Sequence, residues 1–183
     1  MHDQSSDGLT DALRARARQI QCACFDVDWT LTDGRLWIDH LGHESKAFHV
    51  QDGYGLRALM AAGIRVAWIT ARDSKSTLQR AQELAIPAFV APENKRTTLL
   101  ALAQEWHVSL DHTLFMGDDL PDLPALQVVG LPVAPANAHP SLKPYIHWQT
   151  KASGGAGAVR EVCDSLLDAR EDRCPLVTDR PVS

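Results

Sequence analysis

Short apolar runs alternate with longer amphipathic stretches along most of this chain. Cys22 to Val27, Val66 to Ile69, Ala88 to Val90, Thr113 to Met116 and Leu131 to Ala134 are each short, bounded by polar or turn residues and apolar on both faces. That pattern predicts strands covered on both faces, because a strand with one wet face would alternate. Between them, Gly55 to Ala62, Ser74 to Leu84, Lys95 to His107 and Leu120 to Val128 carry helical spacing. A further helix is expected from Ala156 to Arg170. Strand and helix in repeated alternation imply parallel pairing through right-handed crossovers, hence a three-layer α/β fold.

One stretch breaks the rhythm. Between Gly34 and Val50, the segments Arg35 to Asp39 and Ser45 to Val50 alternate like strands, with Gly42 between them. They predict a β-hairpin protruding from the sheet edge, with Leu36, Trp37, Ile38 and Phe48 as exposed apolar residues. Residues 171–183, with Pro175 and Pro181, read as an irregular tail, and residues 1–19 as an N-terminal extension. The 183 residues are 45% hydrophobic and 22% charged, which suits one globular domain with a substantial core.

Lys plus Arg numbers 18 against 23 Asp plus Glu, so the chain lacks the basic surplus expected of a nucleic-acid binder. Arg57 and Arg65 interrupt the longest apolar candidate, Leu56 to Ile69, and Met1 to Gln19 has no apolar signal-peptide centre. A soluble cytoplasmic protein is the expectation. Cys22, Cys24, Cys163 and Cys174 form no C-x-x-C pair and read as reduced packing residues.

In an open parallel sheet, ligands bind outside the carboxyl ends of the strands. The first predicted strand ends in Asp26-Val27-Asp28-Trp29-Thr30, the second in Thr70-Ala71-Arg72 and the fourth in Gly117-Asp118-Asp119, while Lys95 opens the helix after the third. Clustered aspartates repel one another unless a cation lies between them, and a hard divalent ion such as Mg²⁺ suits oxygen ligands and a phosphate substrate. Of Asp26 and Asp28, one can attack phosphorus while the other handles a proton. Thr70, Lys95 and the metal would then bind the non-bridging oxygens.

These motifs resemble the haloacid-dehalogenase superfamily: D-x-D-x-T at Asp26 to Thr30, then Thr70, Lys95, and G-D-D-x-x-D at Gly117 to Asp122. A narrower resemblance, over residues 20 to 170, is to the 3-deoxy-D-manno-octulosonate 8-phosphate phosphatase family. It rests on Asp33-Gly34, Lys46 to Gly55, Ile69 to Arg72, Gly117 to Asp119, Ala138 to Pro140 and Gly154 to Glu161. The resemblance implies a Rossmann-like parallel sheet with a hairpin flap at residues 34–50 and no large cap. It implies a homotetramer in which a neighbour's tail helps close the site. It also implies hydrolysis of an eight-carbon keto-sugar acid phosphate in lipopolysaccharide precursor synthesis.

By the same resemblance, Asp26 is the nucleophile and Asp28 the acid and base. The ligands of Mg²⁺ are Asp26, the Asp28 carbonyl and Asp118, while Asp119 and Asp122 orient the site. Thr70 and Lys95 hold the phosphoryl group. Substrate contacts are expected at Asp28, His49, Val50, Gln51, Asp52, Gly53, Arg57, Arg72, Arg80 and Lys95, since arginine suits a sugar carboxylate. Gly154 to Gly157 precedes a helix, so its amides are an anion-binding candidate or a plain flexible lead-in.

The chain departs from the family pattern at Trp29, which replaces Gly, at His49 and Gln51, which replace Asn and Arg, and at Ala156, which replaces a frequent Arg. A nine-carbon sugar-acid phosphate of sialic-acid type is the rival substrate, and an inactive scaffold of the same fold the non-enzymatic alternative. An EF-hand loop starting at Asp26 fails, because its sixth and twelfth positions are Leu31 and Trp37.

Overall fold

The computed structural model describes residues 9–91 and 94–170. The helices are α1 (Asp11–Arg18), α2 (Val50–Ala61), α3 (Lys75–Leu84), α4 (Lys95–Glu105), α5 (Leu123–Leu126) and α6 (Ala158–Ala169). The strands are β1 (Cys22–Phe25), β2 (Trp37–Ile38), β3 (Glu44–Ser45), β4 (Arg65–Thr70), β5 (Ala88–Val90), β6 (Thr113–Met116), β7 (Leu131–Ala134) and β8 (Trp148–Gln149). Six of them form one parallel sheet in the order β5-β4-β1-β6-β7-β8, and β2 and β3 pair antiparallel as a separate hairpin.

The all-apolar runs explain the layering. Successive side chains of β1 point to opposite faces. Ala23 and Phe25 join a core with Leu56 and Leu59 of α2, Ala81 and Leu84 of α3, and Val159, Val162 and Leu166 of α6. Cys22 and Cys24 join the other core, with Leu99 and Leu102 of α4 and Ala125 and Leu126 of α5. The three-layer α/β fold is therefore as expected, with a small hairpin and no large cap among the described residues.

Chain direction across the sheet matters most for the site. From β1 the chain steps outward to β4 and β5, then returns to β6 on the other side of β1. The loops after β1 and β6 consequently diverge, and their divergence opens a crevice at the topological switch point.

Several boundaries differ from the sequence expectation. Helix α2 starts at Val50 rather than Gly55. Gly53 and Gly55 weaken its helical signal, yet a Cβ at Gly55 would come within 2.9 Å of the Cys163 Cβ on α6, so the glycine lets the two helices touch. The expected helix from Leu120 to Val128 is a 3₁₀ turn, Leu120–Asp122, followed by the short α5. Pro121 and Pro124 explain the break, since neither can donate within a continuous helix.

The expected exposure of Phe48 is also corrected. A bridge between Thr32 and Phe48 draws this residue inward, where its ring stacks on Trp68 with centroids 5.8 Å apart. Trp37 and Ile38 remain exposed, at 63% and 65%. Helix α1, inside the N-terminal segment, seats buried Ala17 in the core, and Arg18 Nε donates to the Ala169 carbonyl at 2.8 Å. Cys174 and the tail from residue 171 lie outside the described residues.

Candidate active site

Asp26 continues the register of β1, its amide donating to the Met116 carbonyl of β6 at 2.9 Å. Asp118 follows β6 by one residue beyond Gly117, so the two carboxylates come from adjacent strands on the crevice. With Asp122 they form a buried group whose oxygens lie within 4.8 Å of one another. Lys95, at the start of α4, reaches between two of them: its Nζ is 2.5 Å from Asp26 Oδ1 and 2.5 Å from Asp122 Oδ1.

Electrostatics follow from that packing. Burial, then the charge of Asp122, raises the Asp26 pKa well above its ordinary value, against the opposing pull of Lys95. Burial and the Asp122 charge likewise push Asp118 up to about 6. Burial works against the Lys95 ammonium, but Asp26 and Asp122 outweigh it and hold its pKa above the usual range. Three buried carboxylates, Asp26, Asp118 and Asp122, thus gather around the one ammonium of Lys95. Asp26 and Asp118 fit a hard divalent cation on donor chemistry, being buried oxygen donors on adjacent strands.

Asp122 does more than cap a turn. Its Oδ2 accepts from the Asp118 amide at 2.9 Å and the Asp119 amide at 3.3 Å, while its Oδ1 binds Lys95. The exposed Asp119 turns instead to the Leu120 amide, 2.7 Å away. Thr30 Oγ1 donates to Asp118 Oδ1 at 3.5 Å, tying the loop after β1 to the loop after β6.

Asp28 meets a different cation, which the sequence reading missed. Lys46, from the hairpin's return arm, lies with its Nζ 2.7 Å from Asp28 Oδ1 and 3.0 Å from Oδ2, its side chain fully buried. The same ammonium reaches Thr77 Oγ1 of α3 at 3.4 Å. Glu44, two residues earlier and so on the same side of the extended chain, accepts from Arg72 Nη2 at 2.8 Å and from Ser74 Oγ at 2.7 Å. Arg72 Nε is 4.0 Å from Asp28 Oδ2, and the Arg72 amide donates to Thr70 Oγ1 at 3.2 Å. Charged residues two apart in the hairpin were the available signal for Glu44 and Lys46.

The other expected substrate contacts are placed unevenly. Arg57 and Arg80 line a cavity of about 430 Å³ between α2 and α3, together with Tyr54 and Glu83, and none of the aspartates above lines it. Val50 and Gln51 are exposed at the start of α2, and His49 is half-buried at its N-cap. Asp52 is turned inward, where its Oδ1 accepts from the Arg160 amide of α6 at 2.7 Å. Gly53 is buried, with Arg80 Nη2 only 2.8 Å from where its Cβ would stand.

The glycine-rich lead-in to α6 is not an anion cradle. Asn137 Oδ1 takes the Gly154 amide at 2.6 Å, and the Thr30 carbonyl takes that of Gly155 at 3.3 Å. A Cβ on Gly154 would stand 1.8 Å from the Trp29 carbonyl oxygen, and one on Gly155 2.3 Å from the Asp33 amide. Glycines at these positions let two backbones cross in contact and fix the loop carrying Asp28. Trp29 itself has φ of 65°, the left-handed region that glycine adopts freely.

Residues 92–161 match a family model described as haloacid dehalogenase-like hydrolase. The 3-deoxy-D-manno-octulosonate 8-phosphate phosphatase KdsC of Escherichia coli (strain K12) is 41% identical over 157 residues, covering 85% of this chain and 84% of its own. The chain belongs to this phosphatase family. It is a phosphomonoester hydrolase of the haloacid-dehalogenase type. Family crystal structures superpose closely. The enzyme of Yersinia pestis has 39% identity and a TM-score of 0.86, over 90% of this chain and 89% of its own. The enzyme of Moraxella catarrhalis, in complex with magnesium, phosphate and KDO, has 37% identity and a TM-score of 0.86, over 90% and 95%.

Proposed function

We propose that this chain hydrolyses 3-deoxy-D-manno-octulosonate 8-phosphate to the free sugar acid and phosphate, using Mg²⁺ and an aspartyl-phosphate intermediate. The observation that carries the chemistry is the convergence of Asp26, Asp118 and Lys95 at the switch point of the sheet. The substrate follows from the family relatives covering most of the chain. By the same reasoning the protein serves lipopolysaccharide precursor synthesis in the cytoplasm and works as a homotetramer. The exposed Trp37 and Ile38 favour an assembly in which the hairpins are covered.

Asp26 attacks phosphorus in line while the ester P–O bond breaks. Asp28 gives its proton to the departing alkoxide, then removes one from the water that attacks the aspartyl-phosphate and frees inorganic phosphate. Lys95 holds Asp26 in place and faces the transferring group, with the Thr70 hydroxyl as a second donor. Asp26, Asp118 and the Asp28 carbonyl would hold Mg²⁺, which when bound neutralises charge on the phosphoryl oxygens. Arg57, Arg72 and Arg80, with residues His49 to Gly53, are the proposed contacts for the sugar acid.

The test is phosphate release from the eight-carbon substrate and from a nine-carbon sialic-acid type 9-phosphate, each with and without Mg²⁺. Mg²⁺-dependent turnover favouring the eight-carbon substrate is expected. Faster turnover of the nine-carbon compound would move the assignment to it, and no release from either would refute both.

A further inference from the structure

The return arm of the hairpin turns every second side chain inward. Glu44, Lys46 and Phe48 are half-buried, while Ser45 and Ala47 between them are exposed. Phe48 anchors the arm by its bridge to Thr32 and its stacking on Trp68. Glu44 anchors it again, accepting from Arg72 Nη2 at 2.8 Å and from Ser74 Oγ at 2.7 Å. Between these anchors the Lys46 side chain is fully buried, its Nζ 3.4 Å from Thr77 Oγ1 and 3.5 Å from Glu44 Oε1. The ammonium that meets Asp28 is therefore fixed from both the hairpin and α3.

Asp28 has no comparable second holder. Among the described residues its carboxylate accepts one hydrogen bond, from Lys46 Nζ to Oδ2 at 3.0 Å, and the same nitrogen lies 2.7 Å from Oδ1. Arg72 Nε, 4.0 Å from Oδ2, is beyond hydrogen-bond reach. An aspartate side chain has several rotamers, and this contact selects one of them. Stability does not call for an ammonium here, because an apolar side chain of similar length would fill the same space, and such replacement of a buried ion pair is often neutral. Nor does the ammonium reach solvent, from which a substrate approaches, whereas the Asp28 side chain is 22% exposed.

We infer that Lys46 is a positioning residue, which aims the Asp28 carboxyl at the oxygen of the leaving group. Lys46 keeps its own protons throughout: the proton that reaches the alkoxide comes from Asp28, and the one Asp28 later takes comes from water. The inference deepens the proposed function and rests on Asp28 being its acid, but not on the eight-carbon substrate. Its signature lies in the leaving group. An alkyl ester departs as a poor alkoxide and needs a well-aimed proton, whereas p-nitrophenolate departs readily without one. Loss of Lys46 penalises the first ester and spares the second, while a lysine that merely held the hairpin in place would affect both alike.

The test measures kcat/KM, which reports the steps up to departure of the leaving group, for 3-deoxy-D-manno-octulosonate 8-phosphate and for p-nitrophenyl phosphate. In Lys46→Met the alkyl ester is expected to lose about 10–100-fold and the aryl ester less than about threefold, the scale set by misplacing a reacting group by up to about 1 Å. In an Asp28→Asn background the same substitution should cost less than about threefold further with either ester. Thr77→Val keeps the side-chain shape without the hydroxyl, so it should shift the ester ratio the same way by less; it decides the question if Lys46→Met does not fold. Equal losses on the two esters, or full additivity with Asp28→Asn, overturn the inference. Equal losses on the two esters in Asp28→Asn itself would instead refute the acid role of Asp28, and the inference with it. Absence of octulosonate turnover counts against the substrate assignment alone, and glucose 6-phosphate then serves as the alkyl ester.

Discussion

Replacing Gly154 with alanine attacks the seat of the loop that carries Asp28. The added Cβ would stand 1.8 Å from the Trp29 carbonyl oxygen, 2.5 Å from its carbon and 3.0 Å from the Thr30 amide nitrogen. All three are backbone atoms, so no side chain can swing aside, and the loops must part by more than about 1 Å to restore ordinary contact. Thr30 would move with them, pulling on Asp118, which its hydroxyl contacts at 3.5 Å. A displacement of about 1 Å at reacting groups costs on the order of 100-fold in rate, and overpacking of this kind typically costs about 1–3 kcal/mol in stability. Gly157→Ala is the matched control. Its φ of 97° makes alanine strained, but its Cβ would meet only His49 Cε1, at 4.0 Å. We expect Gly157→Ala to lower the melting temperature with kcat within about threefold of the parent, and Gly154→Ala to lose at least tenfold more kcat than that. The assay is Mg²⁺-dependent phosphate release beside thermal unfolding. Equal kcat in the two variants would refute the idea that the crossing at residue 154 positions the catalytic loop.

Other consequences are as direct. Asp28→Asn should lower kcat by about 10²–10⁴ while inorganic phosphate and Mg²⁺ still bind, as calorimetry would show; a loss under tenfold would remove Asp28 from proton transfer. Because the folded-state pKa of Asp118 is raised to about 6, its contribution to metal-free stability is present at low pH and lost as pH rises through that value. Mg²⁺ requires the ionised form, so the shift in melting temperature on adding Mg²⁺ should be larger at about pH 7.5 than at about pH 5.5; an equal or reversed difference would contradict the ligand assignment. A Cβ at Gly34 would stand 1.4 Å from the Trp29 indole. Denaturant unfolding should therefore find Gly34→Ala costing about 2–3 kcal/mol in the parent but about 1 kcal/mol in a Trp29→Gly background; equal costs would show that the indole does not sit there.

How far these features were legible depended on whether their signal was local. Asp26 and Asp118 follow uniformly apolar runs, so strand ends and carboxylates could be read together and assigned to one edge of a parallel sheet. The start of α2 at Val50 could not, because Gly53 and Gly55 lower helical propensity for the sake of contacts with α3 and α6 that only the fold supplies. Asp122 closes its own turn through one oxygen, but its other oxygen holds Lys95, a pairing across 27 residues that local spacing does not announce. The glycines at 154 and 155 read as an anion-binding candidate or a flexible lead-in, because the backbone they cross, from Trp29 to Asp33, is remote in sequence. Lys46 opened a segment that carried the family resemblance and Glu44 stood two residues before it, but their ion pairs were not legible, since the partners Asp28, Thr77, Arg72 and Ser74 come from three other segments.

The central claim is that Asp26 accepts the phosphoryl group with a divalent ion at Asp26 and Asp118. Acid quenching during turnover, followed by peptide mass spectrometry, tests it most directly. The account predicts a phosphoryl adduct on Asp26 that requires Mg²⁺ and disappears in Asp118→Asn. An adduct on another residue, or one that forms equally well in the presence of a chelator, would contradict it.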